Sequence, residues 1–372
     1  MNIVLIGPFF PYRGGISDTN QELCESLIKT GHKVDVITFK LQYPRFLFPG
    51  KTQFHKNNLK QNVKSIRIIN SINPFNWINT SKVINDLNPD LVISCYWTAF
   101  LAPCLLVINN IINNKIKKIG LIHNAYPHEK SIFQKTLFKK YLKSINEYVT
   151  FSKNIKEEII KISPFQKGVS LFHPVPEKFG NPIEKYIAKK KIGLENNIRY
   201  LLFFGLIREY KGLDILLKSM IEIIKKNSDV KLLIVGENYE PLKKYHDLVY
   251  KYKLEKSVSF INKFVNQDEI KYWFCSSELV ILPYKNASQS GIASLAIQFE
   301  IPIVSSDVGG LSEFIIDDKD GFLSKPDSKE LSNKILIALN SDLNSIKKEI
   351  KIKKKELTWT NFTSLILSSK LC

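Results

Sequence analysis

One pattern restricts the fold of this chain more than any other, and it occurs twice. Short, continuous apolar runs alternate with amphipathic stretches of helical period. Asn2–Ile6, Lys33–Phe39, Leu91–Ser94, Ile119–His123 and Tyr148–Phe151 form the first series. Continuous hydrophobicity marks strands covered on both faces, as in a parallel sheet wrapped by helices. Ser17–Thr30 has helical spacing and stops at Gly31. The second series is Tyr200–Phe204, Val230–Val235, Val258–Ile261, Leu279–Leu282 and Pro302–Ser305. Helices are expected there at Leu213–Lys226, Asn266–Ser276, Gly291–Phe299 and Lys329–Leu339. Two βαβ series predict an α/β protein of two doubly wound Rossmann-like domains facing a central cleft, which lies at the carboxyl ends of the strands.

Phe172–Asn197 has the composition of a junction, with Pro174, Pro176, Gly180, Pro182 and the lysines 189–191. The expected division is residues 1–175 and 176–356, with a terminal helix over about 357–372 packing back on the first domain. A length of 372 residues suits two domains. The formal net charge is +19, of which residues 1–180 carry +13. Such an excess attracts polyanions: nucleic acid, anionic lipid or phosphorylated substrates. The five cysteines are odd in number and lack metal-ligand spacing, which argues against a disulfide framework or zinc site and for a reducing cytoplasm. The apolar start has no basic leader and reads as a strand, not a signal peptide. Leu91–Ile108 is long enough to raise the membrane-span question, but Pro103 and small polar residues interrupt it, so strand then helix is expected.

Three segments carry chemistry. Gly14-Gly15 follows the first strand and lets backbone amides approach an anion at a helix start; a tight turn is the plainer account. Phe203–Asp214 ends a strand at Gly205 and then presents Arg208 and Lys211 before a helix. Two cations at such a junction could clamp a diphosphate and neutralise a leaving group, or simply face solvent. In Ile281–Gly310 a strand leads into Ser288, Gln289, Ser290 and Gly291, which open a helix. Its amides and hydroxyls suit phosphate, and the same serines suit helix capping.

In this order these segments, with Ile234–Asn238, resemble the retaining family-4 glycosyltransferases of GT-B fold, over nearly the whole chain. His123-Asn124, Pro127-His128-Glu129 and His173-Pro174 look like a subgroup found in bacterial polysaccharide and glycan assembly. The resemblance implies transfer of a sugar from a nucleotide-sugar, UDP-linked in preference to GDP-linked, to a glycan or polyprenyl-diphosphate-linked acceptor. It implies a metal-independent, retaining hexosyl- or N-acetylhexosaminyl-transferase with no cofactor, the nucleotide-sugar being a co-substrate. Arg208 and Lys211 fall where the family binds diphosphate, and His123 at its active-site histidine. Gly14, Gly15, Gly205, Gly236, Glu237, Lys263, Phe264, Ser288, Gln289, Ser290, Gly291 and Ile292 fall on the donor side. Two glutamates usual around this helix start are replaced by Ser288 and Ala296, and Leu206 stands where an arginine is common. The alternatives are a non-catalytic nucleotide-sugar-binding protein and a GT-B-like epimerase. No nucleic-acid recognition motif accompanies the charge.

For the acceptor, two first-domain segments stand out. Leu41–Phe54 holds Tyr43, Phe46, Phe48 and Phe54 with Arg45 and Lys51. Ser131–Ile145 sets Phe133, Leu137, Tyr141 and Ile145 on one stripe amid Lys135, Lys139, Lys140 and Lys143. A basic amphipathic helix suits either an anionic membrane surface, with peripheral attachment, or packing on the core. The lysines of Ser345–Lys355 read as a solvated helix face.

Overall fold

In a computed structural model of the chain, residues 1–44, 52–54, 63–125, 132–238, 241–287 and 290–368 are described. The chain divides into two compact units, Met1–His173 with Trp359–Cys372, and Pro174–Thr358.

The first unit is a seven-stranded sheet. Its strands are β1 (Asn2–Ile6), β2 (Lys33–Leu41), β3 (Ser65–Asn70), β4 (Leu91–Tyr96), β5 (Lys117–Ile122), β6 (Glu147–Thr150) and β7 (Gly168–Ser170). All neighbours pair parallel, in the order β3-β2-β1-β4-β5-β6-β7. The helices are α1 (Gly15–Lys29), α2 (Pro74–Asp86), α3 (Ala102–Ile111), α4 (Ile132–Lys143) and α5 (Lys153–Ile162). Leu91–Ile108 therefore is the buried strand β4, a short turn and the start of α3. No described helix is long and apolar enough to cross a membrane. The sequence series omits β3, α2 and β7. These elements alternate or are short, and β3 and β7 are edge strands with partly exposed faces.

Local chemistry sets the helix ends. The Asn73 Oδ1 accepts from the amides of Phe75 and Asn76 at 3.1 and 3.3 Å, and Pro74 needs no such partner, so α2 starts there. At the other end of α3 the buried Lys118 ammonium donates to the carbonyls of Asn109 and Ile112 at 2.9 and 3.1 Å. A cation on the orphan carbonyls and the negative helix end contributes about 0.3–2 kcal/mol.

The second unit has six strands: β8 (Arg199–Phe204), β9 (Val230–Val235), β10 (Val258–Ile261), β11 (Leu279–Leu282), β12 (Ile303–Ser306) and β13 (Phe322–Ser324). They are all parallel, ordered β10-β9-β8-β11-β12-β13. Its helices are α6 (Lys185–Lys191), α7 (Leu213–Lys226), α8 (Lys243–Lys251), α9 (Gln267–Cys275), α10 (Gly291–Gln298), α11 (Ser328–Asn340) and α12 (Leu343–Glu356). The lysine-rich stretch near residue 190 is not bare linker. Lys189 is buried, and its ammonium donates to the carbonyls of Asn196 and Ile198 at 2.9 and 2.7 Å. Nor is the α12 lysine run wholly solvated. Ile346 and Ile350 are buried, Lys353 pairs with Asp320, and Lys354 donates to the Gln298 carbonyl at 2.6 Å.

The chain then returns to the first unit as α13 (Trp359–Leu367), which packs beside α1. Trp359, Phe362 and Ile366 are buried, and Phe362 stacks on Phe151 with centroids 5.3 Å apart. Burying side chains of this size stabilises by on the order of 1.5–3 kcal/mol each.

Candidate functional site

In a parallel α/β sheet the loops at the carboxyl ends of the strands share one edge. Ligands bind where the strand order reverses direction. In the second unit that point is the β8/β11 gap, and three of the expected donor-side segments meet there. Gly205 ends β8 with φ +95°. A Cβ on it would stand 3.1 Å from the Lys211 Nζ and 3.2 Å from the Ile292 Cδ1, so the lysine and the start of α10 both lie close beside the glycine turn. Gly236, at the end of β9, presses so tightly on the same turn that a Cβ would lie 2.0 Å from the Gly205 carbonyl oxygen. Gly212, with φ +68°, lets Lys211 turn inward while the chain starts α7. A Cβ there would meet the Pro283 oxygen at 1.8 Å. Larger residues at these last two positions would force the turn open.

The two cations differ. Lys211 is buried, whereas Arg208 is half-buried and belongs to the segment leading into it. Burial pushes the Lys211 pKa down to about 8; the Tyr210 hydroxyl opposes this and the Arg208 charge adds to it. A desolvated ammonium beside a second cation is a site that gains by receiving an anion. Its ring neighbour is Tyr284, with Nζ 5.6 Å from the centroid. The Tyr284 hydroxyl lies 3.4 Å from the Ser290 Oγ, and burial pushes its pKa up to about 12. Ser290 occupies the cap position of α10 but its hydroxyl makes no capping bond. The Ser290 hydroxyl therefore does not cap the helix; its carbonyl accepts from the Ala293 and Ser294 amides at 3.1 and 3.4 Å. Tyr284, absent from the sequence reading, is the lining residue that the strand-end tripeptide Leu282-Pro283-Tyr284 could have suggested.

Glu237 contributes its backbone: its carbonyl accepts from the Ile207 amide at 3.0 Å, tying the loops after β8 and β9 together. Lys263 and Phe264 follow β10, two strands from β8. Lys263 forms an ion pair with Glu269 at 2.8 Å, and Phe264 is exposed. Gly291 opens α10 and is exposed. Ser288 and Gln289 lie outside the described residues. Ala296 is buried within the core of the second unit. Asp317 and Asp318 both pair with Lys334 at 3.0 Å. Among the described residues no three His, Cys, Asp or Glu side chains gather to hold a metal. A shallow depression lined by Lys226, Asn333 and Asn340 lies at the opposite edge of this sheet.

Gly14, Gly15 and His123 belong to the first unit. Gly14 has φ +116° and precedes α1; Gly15 begins it. His123 follows β5, and its amide donates to the Tyr96 carbonyl at 2.9 Å. Its ring lies 4.8 Å from that of Phe151. Burial, and next the charge of His173, push the His123 pKa down to about 3. A shift in this direction keeps the imidazole neutral across the physiological range. Pro127, His128 and Glu129 lie outside the described residues, as do Arg45, Phe46, Phe48 and Lys51. In α4 the residues Phe138, Tyr141 and Leu142 are buried, as is Ile145 just after it, while Lys135, Lys139, Lys140 and Lys143 are exposed. Of the expected stripe, Tyr141 and Ile145 are packed in the core and Leu137 is half-buried.

Two Rossmann-like parallel sheets, of seven and six strands, define a protein of the GT-B class. Residues 184–356 match the family pattern of glycosyl transferases group 1, and residues 13–171 that of Glycosyltransferase Family 4. A glycosyltransferase of Methanocaldococcus jannaschii is 27% identical over 355 residues, covering 88% of this chain and 87% of that protein. Two solved structures share the fold. A sucrose-phosphate synthase from Thermosynechococcus elongatus has a TM-score of 0.77 at 18% identity and covers 98% of this chain and 97% of its own. The Anabaena HepE protein, solved with UDP and glucose, has a TM-score of 0.74 at 16% identity and covers 98% of each chain. The chain belongs to the family-4 glycosyltransferases of GT-B fold, and it is a glycosyltransferase.

Proposed function

We propose that the protein moves a hexosyl or N-acetylhexosaminyl group from a nucleotide-sugar to a glycan or polyprenyl-diphosphate-linked acceptor, with retention and without a metal. The observation that carries the donor side is the buried Lys211 ammonium beside Gly205, the same turn against which the start of α10 lies. When the sugar–phosphate bond breaks, the electron pair stays with the diphosphate oxygen and positive charge builds on the sugar. Lys211, Arg208 and the α10 amides would stabilise that diphosphate by preorganised charge, the role a metal fills elsewhere. Neutral His123 would hydrogen-bond the sugar. A UDP-linked donor is favoured by analogy with HepE, and retention rests on the family resemblance alone. The exposed lysines of α4 would attract an anionic membrane surface that carries the acceptor.

The test is incubation with a panel of UDP- and GDP-sugars, with and without glycan and lipid-linked acceptors, in the presence and absence of EDTA. Transfer that survives EDTA is expected, with the anomeric configuration of the donor kept. An isomerised free nucleotide-sugar would identify an epimerase instead. Saturable donor binding without turnover would identify a binding protein that lost its chemistry with the glutamates replaced by Ser288 and Ala296.

A further inference from the structure

One buried side chain of the second unit lies against both the cation and the helix start of the donor side, and the chemistry above gives it no task. Tyr284 stands two residues beyond the end of β11, at the strand-order reversal. The Lys211 ammonium lies over its ring, with Nζ 5.6 Å from the centroid. Its hydroxyl is 3.4 Å from the Ser290 Oγ, at the start of α10. The Tyr210 ring meets it edge-on at 6.0 Å, and the amide of Lys285, next in the chain, donates to the Tyr210 carbonyl at 2.7 Å. The ring is thus braced from a second side.

Lys211 depends on this neighbour. Its ammonium is buried and makes no hydrogen bond or ion pair among the described residues. The other titratable groups on the segments around it are Arg208 and Tyr210, which bear on its charge, Glu209, with Lys244 at 4.0 Å, and the Lys285–Asp214 pair at 3.1 Å. Each of those two carboxylates is engaged by a different lysine. The attraction left to the ammonium is that of an aromatic face, which is strongest where water is excluded. Ser290 depends on Tyr284 as well. A serine at the cap position ordinarily turns its oxygen to the helix amides, and this one does not. Burial pushes the Tyr284 pKa up to about 12, so Ser290 faces a protonated hydroxyl and Lys211 a neutral ring.

We infer that Tyr284 is a positioning residue: its ring holds the Lys211 ammonium and its hydroxyl holds the Ser290 side chain off the helix amides, so that one side chain sets both groups for an incoming diphosphate. The inference rests on the reading of this site as the place of a nucleotide-sugar diphosphate. Tyr284 acts through its two neighbours and needs no contact with the substrate.

Substitutions in the full chain separate the two ends. Tyr284→Leu removes the ring and keeps an apolar side chain; Tyr284→Met does the same should the first not fold. Wild-type stability rises with pH from about 8, the Lys211 pKa in the folded chain, towards 10.5. Without the ring the charged form is held less well, and thermal melts should show that rise beginning about one pH unit lower. Tyr284→Phe keeps the ring, so its rise should begin where that of the wild type does. Its missing hydroxyl should appear in calorimetric titrations with UDP and GDP, as an affinity about fivefold lower once the Ser290 oxygen turns back to the amides. On a Ser290→Ala background the same substitution should cost nothing. A merely structural loosening would lower stability at every pH and leave the onset in place. That result, a Tyr284→Phe protein that binds like wild type, or a loss undiminished on the Ser290→Ala background would overturn the assignment. The melts need no ligand. If the wild type binds neither nucleotide, the nucleotide-sugar reading fails, while the onset still decides whether the ring holds Lys211.

Discussion

Replacing Lys211 with Met separates what this residue does for the fold from what it does for the ligand. In the folded chain its pKa is about 8, against 10.5 for an ordinary lysine. At 1.36 kcal/mol per unit, folding with the ammonium charged costs about 3 kcal/mol. The contact with the Tyr284 ring, 5.6 Å from Nζ, offsets part of this. A net gain of about 1–3 kcal/mol from Lys211→Met is therefore expected at pH 7, or several degrees in Tm. Below pH 8 both folded and unfolded wild-type chains hold the proton, and the desolvation cost is present in full. Between pH 8 and 10.5 the unfolded chain binds more protons than the folded one, so wild-type stability rises with pH. The variant lacks this dependence, and the stability gap should close by about pH 10.5. Catalysis should move the other way. Loss of a leaving-group stabiliser lowers transfer by roughly a hundredfold or more. In the wild type kcat/KM should fall as pH passes about 8, while bound diphosphate holds the proton and shifts the break in kcat higher. Thermal melts from pH 7 to 10.5 and a pH–rate profile measure both sides. A variant that is less stable at pH 7, or that transfers within a few-fold of wild type, would refute the idea that this charge is buried for the ligand.

Arg208→Ala should lower transfer by about a hundredfold too, but without the stabilisation, because Arg208 is half-exposed; melts and initial rates decide. For His123 the unfolded chain binds a proton below about pH 6.5 and the folded one only near 3, so stability should drop by up to about 5 kcal/mol as pH falls through that window. Melts of His123→Phe should lose this acid dependence, and the wild-type rate profile should show no break from His123 between pH 5 and 8; a break that the substitution removes would contradict its neutrality. Anionic liposomes should adsorb the protein and salt should release it, since Phe138, Tyr141 and Leu142 of α4 are buried while its lysines 135, 139, 140 and 143 are exposed. Changing Lys135, Lys139, Lys140 and Lys143 to Gln should weaken this binding at least tenfold in a sedimentation assay, and equal binding to neutral liposomes would refute it.

The doubly repeated alternation of apolar runs with amphipathic stretches was enough to determine two parallel-sheet α/β units, because only strands covered on both faces can be apolar along their whole length. The return of the terminal helix was legible too, since Trp359, Phe362 and Ile366 at helical spacing need a surface to cover. So were the glycines at strand ends, where backbone must approach backbone. Other features depend on distances between residues far apart in the chain. Nothing in the spacing of Arg208 and Lys211 tells that one is half-buried and the other buried beside Gly205, because the surroundings of that turn include the start of α10, more than eighty residues away. The spacing likewise could not tell that Ser290 turns to Tyr284 instead of capping its helix, or that the lysines of α12 are partly anchors. It singled out Lys211 and Ser290 but not Tyr284, which lies against both. A parallel sheet sets residues from different strands side by side at its carboxyl edge, and that juxtaposition, on which the burial of Lys211 and its contact with Tyr284 both depend, exists only in the folded chain.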